Sequence, residues 1–206
     1  MKQKFYLLFA FILFVSAVWS QETRFGVTGG LSLASWTAKA GGVSINSQSN
    51  TGFTAGVTAF VPLTTQFTIQ TGLNFLQKGA KTDDQGDVEK IKLNYIELPV
   101  NFLYTHEGFF GGVGPTFAMG ISGTDNATSQ GVTQKTDLHF GNSTDDDLTK
   151  FDIGANITAG YMVPSGWMIS LNYNFGLSNL IPGGNSSDGK VTNRYFGIRI
   201  GYIFQK

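Results

Sequence analysis

The chain has 206 residues with 14 Lys and Arg against 14 Asp and Glu, no cysteine, and charged residues at only 14%, where ordinary soluble domains carry about 25%. Neutrality excludes the basic face that nucleic-acid binding needs, and the missing cysteines exclude disulfide staples and thiol chemistry. So little charge leaves a soluble protein short of surface cover, whereas a membrane protein needs none on its lipid face.

Residues 1–20 read as a signal peptide: Lys2 and Lys4, an apolar run over 5–18, then Val18 and Ser20 as the residues read before cleavage at Gln21. Residues 21–206 then form one domain. Without Lys2 and Lys4 its 12 basic side chains face 14 acidic ones, a formal charge of −2. No later stretch approaches the roughly 20 apolar residues of a spanning helix, so a bilayer crossing requires a closed barrel, the other form that satisfies every backbone group internally.

Period-2 alternation predicts eight strands, over residues 24–36, 51–61, 67–79, 91–104, 109–122, 150–163, 167–178 and 193–204. Their connections alternate in length. Residues 62–66, 105–108 and 164–166 are tight turns; 37–50, 80–90, 123–149 and 179–192 are long, polar and expected as loops. Short turns on the periplasmic side and long links outside are the rhythm of an outer-membrane barrel. The predicted fold class is all-β, an eight-stranded antiparallel up-and-down transmembrane β-barrel with both termini on the periplasmic side.

The two faces separate by parity. In the last strand Phe196, Ile198, Ile200, Tyr202 and Phe204 share one face, and Tyr195, Gly197, Arg199 and Gly201 the other. A soluble lipocalin-like barrel would turn its apolar face inward and coat the outside with Lys and Glu. Here the polar face is mainly Gly, Thr, Ser, Asn and Gln, which suits a cramped hydrogen-bonded interior. Pairing Tyr104 with Phe109 across the 105–108 turn sets Glu97 opposite Thr116, both on the polar face. Pro99 and Pro115 lie inside neighbouring strands, and because proline cannot donate to a ladder, a bulge or bend is expected there.

Phe67, Tyr104, Phe109, Tyr161, Trp167, Tyr202 and Phe204 gather at the strand ends beside the short turns, where an interfacial aromatic girdle belongs. The runs Asn94-Tyr95-Ile96-Glu97-Leu98-Pro99-Val100, Thr71-Gly72-Leu73-Asn74-Phe75 with Lys78-Gly79, Tyr173-Asn174-Phe175-Gly176-Leu177-Ser178-Asn179 and Tyr195 through Phe204 resemble the PorT-like outer-membrane beta-barrel family over essentially the whole mature chain. The Tyr-Ile-Glu-Leu-Pro run is the most specific piece. The resemblance implies an outer-membrane barrel and, for the name-giving member, a role in protein secretion.

Glu97, Arg199, Lys78 and Asp152 are the charges that parity sends into the lumen, and they are candidates for an interior polar network, since a buried charge is costly unless paired. Eight strands leave an interior just wide enough to be filled by side chains, which disfavours a narrow passive pore. His106 in a short turn and His139 near Ser143 and Asp145 are too isolated to suggest catalysis. Asp145, Asp146 and Asp147, with Asp125 and Asp137, lack the ligand periodicity of a calcium loop and read as a solvated acidic segment. The sequons at Asn126, Asn142 and Asn185 signal polar composition. No cofactor, metal or catalytic residue is expected. The expected location is a bacterial outer membrane, and the expected role is structural or interactive. Expected partners are outer-membrane lipid and a protein at the long loops or the periplasmic turns, with a secretion apparatus as the alternative.

Overall fold

The computed structural model describes residues 22–84, 86–183 and 189–205. The segment expected as a signal peptide, Asn185 and part of the fourth long connection lie outside the described residues. Eight long strands close into a ring in the order β10 (Phe151–Met162), β11 (Trp167–Gly176), β12 (Lys190–Ile203), β1 (Arg24–Ala40), β3 (Asn50–Pro62), β4 (Phe67–Asp84), β5 (Asp87–His106) and β6 (Phe109–Ser129). The ring is closed by β6 pairing with β10, and each neighbouring pair is antiparallel. Closure gives every wall strand two partners, which is how a sheet meets the bilayer's demand that no backbone group be left unpaired.

Four shorter strands lie outside the ring path: β2 (Val43–Asn46), β7 (Val132–Leu138), and β8 (Phe140–Gly141) with its parallel partner β9 (Leu148–Thr149). They correct the expectation of long polar loops. Most of 37–50, 80–90 and 123–138 continues the sheet as hairpins: β1 turns into β2 at Gly41 and Gly42, β4 into β5 between Asp84 and Asp87, and β6 into β7 at Gln130 and Gly131. Gly41 and Gly42 have φ of 56° and 82°, and Gln130 and Gly131 have 51° and 80°. Two positive φ angles in a two-residue connection are the mirror-image turn that matches strand twist. The same geometry closes the short turn at Glu107 and Gly108, with φ of 49° and 84°. Polarity in these segments marks where the chain leaves the lipid; the sheet itself continues.

Burial follows parity and is inverted relative to a soluble protein. Phe25 is 60% exposed, Val57 57% and Ile200 57%, while Ser32, Glu97 and Asn193 are fully buried. The apolar face is therefore the outer wall and the polar face lines the lumen, which removes the lipocalin-like alternative. Val163 donates its amide to Trp167, as the parity of that turn requires. In the β5–β6 pair the structure sets Glu97 opposite Ala118 rather than Thr116. That displacement is two residues, so each side chain keeps its face; its cause is the tight turn, which pairs His106 with Phe109.

The expected irregularity at the prolines is also corrected. Pro99 still faces Thr116, and the ladder resumes in the same register at Phe102 and Val113. The register shift lies farther toward the long-hairpin end, between Asn94 and Tyr95, where Ser122 and Gly120 are the partners and Ile121 is the extra residue. A proline removes one donor without lengthening its strand, so an interrupted ladder suffices there, whereas an inserted residue makes a bulge.

Candidate functional site

The lumen is built in layers, each set by residues two apart on strands that alternate in and out. Next to the short turns, Phe60, Leu103, Phe110, Met168 and Ile203 form a buried apolar cluster with Met162 against it. Above it lies an amide layer: Asn156 donates to Asn101 at 3.1 Å, Asn101 to Gln70 at 3.1 Å and Asn174 to the Thr116 hydroxyl at 2.8 Å. The space this layer encloses is a cavity of about 20 Å³, lined in part by Asn172 and Arg199. That is about one water molecule's worth of room.

The charged layer comes next. Lys78 on β4, Glu97 on β5, Asp152 on β10 and Arg199 on β12 converge in it: Lys78 Nζ lies 3.0 Å from Asp152 and 3.7 Å from Glu97, and the Arg199 guanidinium lies 3.7 Å from Glu97. The structure thus joins all four sequence candidates in the chain Asp152, Lys78, Glu97, Arg199, two charges of each sign. Tyr195 donates its hydroxyl to Glu97 at 2.7 Å and accepts from Arg199 at 3.5 Å. Asn193 and the Ser178 hydroxyl donate to the two oxygens of Asp152 at 2.9 and 2.7 Å. The Lys78 ammonium also sits 4.9 Å from the Tyr95 ring centre and 5.3 Å from that of Tyr195, within cation–π range.

Side chains this deeply buried each carry a desolvation cost of several kcal/mol, which only mutual pairing and hydrogen bonds offset. Sequence reasoning singled out the charges but not their neutral partners Tyr95, Tyr195, Asn193 and Ser178. The first three share the inward parity of Glu97 and Arg199, so the signal was a tyrosine on the same face close before each charge, Tyr95 before Glu97 and Tyr195 before Arg199.

Above the charges the lumen is covered. Leu93, Tyr95, Ala118, Leu148 and Leu180 form a second buried apolar cluster, against which Phe140, Leu138 and Trp36 pack. The Phe140 ring meets Tyr95 edge-on at 5.4 Å and fills the space a side chain on Gly120 would need, since a Cβ there would lie 2.3 Å from it. Backbone bonds tie this cover to the next connection, from Thr149 to the Leu180 carbonyl and from Leu180 to that of Val191. The acidic run helps shape the cover: Asp146 accepts from the Ser143 amide and Asp147 from that of His139, each at 2.8 Å. Among the described residues no acidic or histidine group is arranged to hold a metal ion. His139 Nδ1 lies 3.6 Å from Asp147, and His106 lies 3.9 Å from Glu107 at the opposite end of the barrel.

On the outer wall the seven aromatics form three groups at the short-turn end. Phe67 contacts Tyr104 at 5.7 Å, Phe109 contacts Tyr161 at 4.6 Å, and Tyr202 lies between Trp167 at 5.3 Å and Phe204 at 5.9 Å. Two further outward pairs, Phe53 with Phe75 at 5.2 Å and Tyr173 with Phe175 at 4.5 Å, lie toward the other end and are not among the seven residues expected as the girdle.

Residues 19–182 match the family model described as Outer membrane protein beta-barrel domain. No curated protein matches the sequence. Among solved structures, the chain is similar to neisserial surface protein A, at 11% identity and a TM-score of 0.50, covering 87% of this chain and 97% of that one. Outer membrane protein OprG from Pseudomonas aeruginosa aligns at 12% identity and 0.46, covering 90% and 98%. Ail, the attachment invasion locus protein of Yersinia pestis, aligns at 12% and 0.44, covering 88% and 99%.

Proposed function

The chain belongs to the outer-membrane β-barrel domain family, and from that premise we propose that it is a non-enzymatic barrel with a sealed lumen, whose work is done at its surface through the long hairpins. The observation that carries this reading is the layered lumen: apolar clusters at both ends, with a self-compensated set of charges between them. Glu97, Arg199, Lys78 and Asp152 serve as an interior brace that fixes strand register. The seven aromatics serve as the periplasmic girdle, which sets the hairpins of β1–β2, β4–β5 and β6–β7 outside the cell. Purified protein in planar bilayers is expected to show no steady conductance; stable open channels would overturn the sealed reading in favour of a passive pore.

A second reading, an accessory of a protein-secretion apparatus, is supported by the PorT-like resemblance at Asn94 to Val100 and by a depression at the short-turn end. That depression, of about 410 Å³, is lined by Phe60, Phe109, Phe110 and Met162 with Arg24, His106 and Glu107. A photocrosslinker at Glu107 compared with one at Gln130 in intact cells separates the two: capture from Gln130 supports surface interaction, and capture of a periplasmic protein from Glu107 supports the apparatus.

A further inference from the structure

The outer face of the β4–β5–β6–β7 quadrant changes character in three steps above the lipid. The last apolar row is Phe75 beside Ile96. The next is a ladder of side-chain hydrogen bonds, from Gln77 to Asn94 at 3.1 Å and from Asn94 to Ser122 at 2.9 Å. Beyond it come lysines: Lys92 opposite Gly79 and Thr124, then the row Lys81, Lys90, Asn126, Lys135 across four neighbouring strands. At ~3.3 Å per residue and a tilt of ~40°, Lys92 lies about 10 Å above Ile96 along the membrane normal. That is the headgroup level, or within reach of it for a flexible lysine stem.

Charge on this hairpin is sorted by face. Lys90 and Lys92 point outward from β5, while Glu89, which precedes Lys90, and Asp125 on β6, which faces Ile91, point over the barrel mouth. There partial burial and then the charge of Asp125 raise the Glu89 carboxyl above its ordinary range. The outward acids are Asp83, paired with Lys81 at 3.2 Å, and Asp137, 3.9 Å from Lys135. Lys90 and Lys92 have no ion pair among the described residues. A merely solvated hairpin has no need to hold two like-charged acids together on one face and leave unpaired lysines on the other.

We infer that Lys90, Lys92 and Lys135, with Lys81, form a docking patch for the phosphates of an outer-leaflet glycolipid, whose acyl chains lie on the apolar wall below. Position and charge agree: the patch faces sideways toward neighbouring headgroups, directly above side chains that meet lipid, and each lysine near an anionic surface strengthens binding about fivefold. This inference rests on the hairpins lying on the outer side of the membrane.

The test uses the folded full-length barrel in zwitterionic micelles, titrated with bisphosphorylated lipid A, with the same lipid after removal of its phosphates, and with soluble polyphosphate. The expected result is phosphate-dependent binding of lipid A that falls on the order of 100-fold in the triple variant K90Q/K92Q/K135Q and is restored in K90R/K92R/K135R. Heat-modifiable migration and β-sheet circular dichroism should be the same in all three proteins. Retention of affinity within about twofold in the glutamine variant, equal binding of the dephosphorylated lipid, or equally tight binding of soluble polyphosphate would overturn the proposal. Its failure leaves the sealed-barrel reading standing, because conductance and folding are measured on the same preparations.

Discussion

On β12, Ile198 and Ile200 flank Arg199, yet the first two meet lipid and the third joins a buried ion network. The lumen wall and the lipid wall are thus made by the same strands, and they hold themselves together by different physics. On the lipid wall each side chain acts nearly alone: its requirement is to be apolar at its depth, and many residues satisfy it. In the lumen each polar group depends on particular partners across the barrel, so Lys78 needs Asp152 and Glu97, and Glu97 needs Tyr195 and Arg199. The outer wall tolerates exchange of one apolar residue for another; the inner wall specifies which strands stand where.

The largest expected break in this comparison is Glu97→Ala, which leaves Arg199 and half the compensation of Lys78 without an anion. A loss of about 3–5 kcal/mol is expected in unfolding from micelles. The double variant E97A/R199A should fall short of the sum of the single losses by at least ~1 kcal/mol; strict additivity would mean that the two side chains are near each other without being coupled.

On the opposite face, Ile198→Arg is expected to cost about 2–4 kcal/mol if the site lies near the midplane, a loss with no partner that could rescue it. An unchanged unfolding curve for this variant in bilayers would mean that the greasy wall does not face lipid. The contrast to measure is therefore one of rescue as much as of size: a second substitution relieves the lumen defect and none relieves the lipid one.

The smallest effect belongs above the membrane, at Glu89. Its carboxyl is raised by partial burial and by Asp125, so the folded hairpin holds a proton more readily than the unfolded chain does. Stability of the hairpin is then greater at acid pH and is lost as pH rises from the ordinary carboxylate range through the raised value. Hydrogen exchange of the β4–β5 hairpin amides, corrected for intrinsic pH dependence, is expected to show stronger protection below the ordinary carboxylate range, near pH 4, than near pH 7. Glu89→Gln should remove the difference, and a pH dependence that survives the substitution would have another source.

Much of this fold is legible in the residue pattern because alternation is a local property. Burial of one face fixes parity, and parity survives a register slip of two, which is why Glu97 faced the lumen whether its partner was Thr116 or Ala118. What misled was polarity. The segments 37–50 and 123–138 read as loops because their alternation had lost its apolar half, although Gly41-Gly42 and Gln130-Gly131 were available as turn signals. The proline positions misled in a related way, because a missing donor and an inserted residue are different defects.

The eight crossings, the face each side chain presents and the confinement of four charges to the lumen can all be read from the order of residues, since they follow from a period of two in a bilayer. Assembly of the ring adds what no strand carries alone: Lys78 meets Asp152, 74 positions away, Tyr95 and Tyr195 close over the ammonium, and Phe140 folds back onto Tyr95. Those contacts depend on how far each strand is staggered against the next once the ring is closed. Stagger is set by the turns, the bulge after Asn94 and closure acting together, so no single segment encodes it.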